Sequence, residues 1–179
     1  MRVISGEWRG RTLKSPTWDG LRPTSDRLRE TLFNILGPSI RGARVLDAYA
    51  GTGAIGIEAL SRGAAWVCFV ERDPRAVRLV EANLASVGAD RRYAIIRADV
   101  TDAADACGTA AFDVAVFDPP YAADAAARAL EAAAGLAGSD LRVIIEHATR
   151  DAPPSRHAGF ALARTVKAGD SALSFYQRG

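Results

Sequence analysis

Two clusters in the chain combine residue types and spacings that could do chemistry. The first runs Val45-Leu-Asp-Ala-Tyr-Ala-Gly-Thr-Gly-Ala-Ile-Gly56, placing Gly51, Gly53 and Gly56 as GxGxxG after a predicted strand and before a predicted helix. Glycines there let the backbone turn tightly and approach a ligand, and the helix start presents free N–H groups. Alone, the motif suits a dinucleotide equally well. Asp47, at the end of the preceding strand, would repel a pyrophosphate but would suit the amino group of a zwitterionic amino-acid moiety. Glu71 ends the second predicted strand, twenty residues after Gly51, where a carboxylate can accept from ribose hydroxyls. Asp99 follows the third strand and is placed to meet an adenine amino group.

The second cluster is Asp118-Pro119-Pro120-Tyr121, after the apolar run Val114–Phe117. Two prolines fix an extended backbone without N–H groups and leave carbonyls as acceptors. A planar exocyclic amine is a poor nucleophile, because its lone pair is delocalised into the ring. Acceptors on Asp118 and the Pro119 carbonyl could hold both N–H bonds and bend the nitrogen toward tetrahedral geometry, with Tyr121 stacked on the base.

These clusters need a scaffold that brings strand ends together, and the hydrophobic pattern supplies one. Strands are predicted at Arg44–Tyr49, Trp66–Glu71, Tyr93–Ala98, Asp113–Asp118 and Arg142–Glu146. Between them the spacing predicts helices near Ala54–Ser61, Pro74–Val87 and Asp124–Leu136, with an irregular connection around Thr101–Gly108. Nearly continuous apolar strands separated by helices imply a parallel sheet covered on both faces. Phe160–Lys167 and Ala172–Gln177, around Gly169-Asp170, predict a terminal antiparallel hairpin. Ser25–Leu36 reads as a further helix, capped by Ser25 or Asp26 and ended by Gly37-Pro38.

Composition bounds the class. The chain has 179 residues, 49% hydrophobic and 25% charged, which excludes a disordered, collagen-like or disulfide-scaffold protein. No apolar run reaches the roughly 18 residues of a membrane span, and the N-terminus lacks a signal-like apolar stretch, so a cytoplasmic location is expected. Cys68 and Cys107 lack CxxC spacing, and His147 and His157 lack partners, so no metal site is expected. Net charge is only +2, yet Arg2, Arg9, Arg11 and Lys14 face only Glu7 in the first fourteen residues, and Arg22, Arg27 and Arg29 follow. A basic flank on a near-neutral body suggests a polyanion partner. Arg29, in a helix that also packs a core, could as well be simply solvated.

The strand-end acids and glycine loop together resemble the pocket of class I S-adenosylmethionine (SAM)-dependent methyltransferases. Asp118–Tyr121 is similar to the DPPY signature of methyltransferases acting on exocyclic amines of nucleic-acid bases; a related NPPY form serves protein glutamine. More narrowly, Arg2–Leu13 (RVISGEWRGRTL) and Leu21–Leu36 (LRPTSDRLRETLFNIL) resemble the RsmD family of bacterial 16S ribosomal RNA guanine-N2 methyltransferases, as do Asp47–Gly63, Phe69–Asp73 and Phe117–Tyr121. The chain departs from the family around Tyr49 and Ala50 and keeps the glycines.

That resemblance implies a Rossmann-like fold: a seven-stranded, mostly parallel sheet with an antiparallel C-terminal hairpin, helices on both faces, and a β-hairpin arm at residues 1–22 before a methyltransferase domain at 23–179. It implies SAM held by Asp47, Gly51, Gly53, Glu71 and Asp99, and catalysis by Asp118, Pro119, Pro120 and Tyr121. RNA would meet Arg2, Arg9, Arg11, Arg22 and Arg27. The implied substrate is the N2 amine of guanine 966 in 16S ribosomal RNA, within an assembling small subunit, with the enzyme a monomer away from membranes. Two other readings of the same residues are a DNA adenine-N6 methyltransferase, which normally carries a target-recognition insertion absent here, and an NAD-dependent oxidoreductase using GxGxxG and Glu71.

Overall fold

A computed structural model describes residues 1–18, 25–108, 110–120, 122 and 124–179. After helix α1 (Asp26–Leu36) the chain alternates strand and helix: β1 (Arg44–Ala48), α2 (Ala54–Ser61), β2 (Trp66–Glu71), α3 (Pro74–Val87), β3 (Tyr93–Arg97), α4 (Ala103–Cys107), β4 (Val114–Phe117), α5 (Ala125–Ala134) and β5 (Arg142–Ala148). It closes with β6 (Arg156–His157), β7 (Phe160–Ala168) and β8 (Ser171–Arg178). One sheet holds all eight strands in the order β3-β2-β1-β4-β5-β8-β7-β6. β1 to β5 run parallel, and β8 returns antiparallel against β5 with β7 beyond it. The two-residue β6 is added to the seven strands expected from sequence; it pairs only with β7, through Arg156 and His157.

The parallel strands are apolar because both faces are covered. Val45, Val67, Val114 and Ile144 point to a core shared with α1, α2 and α3, while Leu46, Cys68, Ala115 and Ile145 point to the core beneath α4 and α5. All eight residues of α2 are buried, which explains its lack of a polar face. Helix ends follow local chemistry. Ser25 caps α1 by accepting from the Leu28 N–H, and Asp73 caps α3 ahead of Pro74.

Residues 1–18 belong to the same core. Arg2 and Thr12 form a single antiparallel bridge, and Val3, Trp8 and Leu13 are buried. Helix α2 clamps this segment: the Glu58 carboxylate accepts from the backbone N–H groups of Ile4 (2.8 Å) and Ser5 (3.0 Å). Gly6 is required at its turn, since it has φ +84° and a Cβ there would lie 1.8 Å from the Ser61 carbonyl oxygen. Arg29 is not solvated. It is fully buried, donating to the Arg2 carbonyl oxygen and to Asp26, both at 2.7 Å. The bond to the Arg2 carbonyl ties the N-terminal segment to α1.

Candidate active site

The strand order reverses between β1 and β4, so the loops leaving these neighbours diverge and open a crevice at their carboxyl ends. A cavity of about 580 Å³ fills this crevice. Asp47 lines it from β1, Tyr49, Gly51 and Thr52 from the β1–α2 loop, and Glu71, Arg72 and Asp73 from the end of β2. Ala98 and Val100 contribute from beyond β3, Asp118, Pro119 and Pro120 from beyond β4, and Glu146 from β5. The tip of the β7–β8 hairpin (Ala168, Asp170, Ser171) closes the far side.

The glycine loop is held by three contacts. Asp47 Oδ2 accepts from Gly56 N at 2.8 Å, tying the β1 end to the first turn of α2. Glu71 Oε2 accepts from Gly51 N at 3.0 Å, and its other oxygen accepts from Asp73 N at 2.8 Å. Asn83 of α3 donates to the Thr52 carbonyl at 2.9 Å and also bonds the Lys14 backbone. The loop thereby tolerates Tyr49 at φ 61°, an uncommon conformation for a residue with a side chain. Gly53, also at positive φ, forms the N-cap of α2 without lining the cavity. Gly56 lets α2 lie against β2, since a Cβ there would be 2.2 Å from the Phe69 ring.

The electrostatics favour a cation. Asp47 is 1% exposed, and burial pushes its carboxyl well above the ordinary range, with the nearby Asp118 and Glu71 charges pushing the same way against the opposing Gly56 N–H. Asp99 behaves differently. It caps the turn at Val100–Asp102, and bonds from Thr101 hold its carboxyl below the usual value. Its side chain faces Thr101 and Arg72 (3.4 Å), so its neighbours Ala98 and Val100, not Asp99, line the cavity.

Of the predicted site residues, Asp47, Gly51, Glu71, Asp118, Pro119 and Pro120 meet at one cavity. Tyr121 and Arg22 lie outside the described residues. Arg2, Arg9, Arg11 and Arg27 are exposed, and Arg11 also donates to the Val87 carbonyl at the end of α3 (2.9 Å). Sequence reasoning missed Trp18, which lines the cavity with the Arg75 guanidinium 5.2 Å above its ring. It also missed Glu146, although a carboxylate near the end of a predicted strand was the signal that singled out Asp47 and Glu71. His147, expected to be structural, bonds the Ala148 carbonyl and Ser174. Cys68 and Cys107 are free thiols with sulfurs 3.4 Å apart. Among the described residues no cluster of metal-ligating side chains occurs, and no helix is long and apolar enough to cross a membrane.

A parallel β3-β2-β1-β4-β5 sheet extended by an antiparallel hairpin, with its crevice at the β1/β4 switch point, defines the class I methyltransferase fold. Magnesium protoporphyrin IX methyltransferase from Synechocystis, solved with bound SAM, shares that fold at TM-score 0.68 and 17% identity over 86% of this chain and 79% of its own. The family described as conserved hypothetical protein 95 matches residues 1–177, and the chain belongs to this family, that of the RsmD proteins. Ribosomal RNA small subunit methyltransferase D of Escherichia coli K12 is 37% identical over 99% of this chain and 90% of its own length. The solved E. coli protein yhhF superposes at TM-score 0.85, with 36% identity over 99% of this chain and 97% of that one.

Proposed function

We propose that this protein transfers a methyl group from SAM to the exocyclic N2 amine of a guanine in 16S ribosomal RNA. The observation that carries this reading is that Asp118 and Pro119 line the same cavity as Asp47 and Glu71. Three neighbouring carboxylates, one of them deeply buried with a raised pKa, suit a ligand that brings positive charge. SAM fits this requirement through its ammonium and sulfonium groups. When bound, it supplies an electrophilic methyl carbon.

The chain's own residues do the rest by positioning. Asp47 would hold the amino-acid end of SAM, and Glu71, already fixed by two backbone N–H groups, keeps lone pairs that would accept from ribose hydroxyls. The Asp118 carboxylate and the Pro119 carbonyl would accept the two N–H bonds of the target amine and aim its lone pair at the donor; as the C–N bond forms, the methyl–sulfur bond of SAM would break and the amine proton would leave to the Asp118 carboxylate or to water. Tyr121 stacks on the base, which must be splayed from its helix or taken from a loop to reach an enclosed site. The exposed Arg2, Arg9, Arg11 and Arg27, with Arg22, contact RNA phosphates, and residues 1–22 act as the RNA-binding extension while their Val3, Trp8 and Leu13 complete the core of residues 23–179. Asp99 holds the adenine side through the turn that it caps. The finer assignment is guanine 966, presented in an assembling small subunit to a monomeric cytoplasmic enzyme.

The test is Asp118→Ala. Methyl incorporation into 16S RNA is expected to disappear, while SAM affinity by calorimetry stays within about threefold. Equal turnover by variant and parent would eliminate this mechanism.

A further inference from the structure

A second, smaller cavity of about 170 Å³ lies beside the first and is bounded by α5, Pro119 and Pro120, the end of β5 and the segment at Asp151–Pro154. The two cavities share Pro119, Pro120 and one charged side chain, Glu146. Glu146 is 6% exposed, so its carboxylate belongs to the site and not to the solvated surface. Its position follows from the strand register. Phe117 of β4 pairs with Ile145 of β5, so the next residues, Asp118 and Glu146, continue side by side in the same sense. The backbone beyond Glu146 is fixed, since the Thr149 N–H donates to the Asp170 carbonyl at the hairpin tip (2.9 Å).

We propose that Glu146 is the residue that selects guanine, by accepting the N1–H of the base whose N2 amine Asp118 and Pro119 hold. The inference rests on the reaction proposed above. Guanine presents N1–H and N2–H₂ as adjacent donors, and an ionised carboxylate is acceptor-only. Two acceptor groups side by side therefore match that edge. Adenine presents a lone pair at N1, and a carboxylate facing it would leave two acceptors opposed in a buried site. Glu146 thereby gives the amine chemistry of Asp118-Pro119 its choice of purine, which the tetrapeptide alone does not supply.

The experiment compares 16S RNA fragments carrying guanine or 2,6-diaminopurine at the target position. Diaminopurine keeps the 2-amine but has an acceptor at N1. The parent enzyme is expected to favour guanine by about tenfold or more in kcat/KM, in line with the discrimination of a well-made base contact. Glu146→Gln, whose amide can donate, should narrow the ratio to within about threefold, with SAM affinity unchanged. A parent enzyme that uses both bases equally overturns the proposal without any variant. So does a Glu146→Gln enzyme that keeps the parent's ratio. If the parent fails on guanine RNA as well, the reaction itself is misassigned and this inference falls with it.

Discussion

Gly56→Ala tests whether the third glycine of the loop serves helix–strand packing. The added methyl would sit 2.2 and 2.6 Å from Phe69 ring carbons and 2.8 Å from a Val67 methyl, where carbon atoms normally rest at about 3.5–4.0 Å. Phe69 and Val67 are fully buried on β2, between β1 and β3, and have no solvent to move into. Two effects oppose. Alanine in place of glycine inside a helix gains about 0.5–1 kcal/mol. Overpacking a dense core costs about 1–3 kcal/mol, and contacts this short belong at the upper end. The net expectation is a loss of about 1–2 kcal/mol, seen as a fall in Tm of about 2–8 °C for a domain of this size. Phe69→Leu removes the two ring carbons concerned. In that background Gly56→Ala should cost at least about 1 kcal/mol less, leaving only the Val67 contact, and urea unfolding of the four proteins measures the coupling. A Gly56→Ala protein as stable as the parent, or an identical cost in both backgrounds, would refute the packing argument.

Two further outcomes follow from buried charge. Glu58 is fully buried, accepts from Ile4 and Ser5 and pairs with Arg62 at 2.7 Å, so Glu58→Ala should cost about 3 kcal/mol or more. Hydrogen exchange at the Ile4 and Ser5 amides should accelerate in parallel, and unchanged protection there would contradict the clamp. Burial raises the folded pKa of Asp47 well above the ordinary carboxylate value of 3.8, so it keeps its proton in the native protein where the unfolded chain has lost it. Its contribution to stability is therefore full below pH 3.8 and declines as pH rises through the folded value. A bound cation pulls that pKa back down, so SAM binding should release protons within this window and tighten as pH rises across it. Calorimetry in buffers of different ionisation enthalpy reads the release; a parent that releases no more than Asp47→Asn would contradict it.

Much of this was legible in the sequence, because periodicity reports burial. β2, α2 and α3 fall at their predicted residues, since each is a clean apolar or amphipathic run bounded by Gly, Asp or Pro. What was illegible depends on long-range contacts. β6 is two residues that become a strand only when β7 lies beside them. The segment expected to be irregular around Thr101–Gly108 contains a 3-10 turn and α4, whose alanines and Cys107 pack on the core beneath α5. Arg29 is of a type usual at surfaces, yet it is buried where it donates to the Arg2 carbonyl and to Asp26, and the first of these is a long-range contact. Among the site acids, the Asp-Pro-Pro-Tyr cluster placed Asp118 at the cavity, and the strand-end rule placed Asp47 and Glu71 there. That rule could not distinguish Asp99, whose carboxylate is engaged by its own turn, from Glu146, which lines the cavity.

The central claim is tested most directly by incubating the purified protein with SAM and 16S RNA from cells that lack it, then mapping the product by nuclease digestion and mass spectrometry. One added methyl on the N2 of a single guanine is the predicted result. A methyl on adenine, or no methyl on RNA that the parent cells do modify, would contradict it.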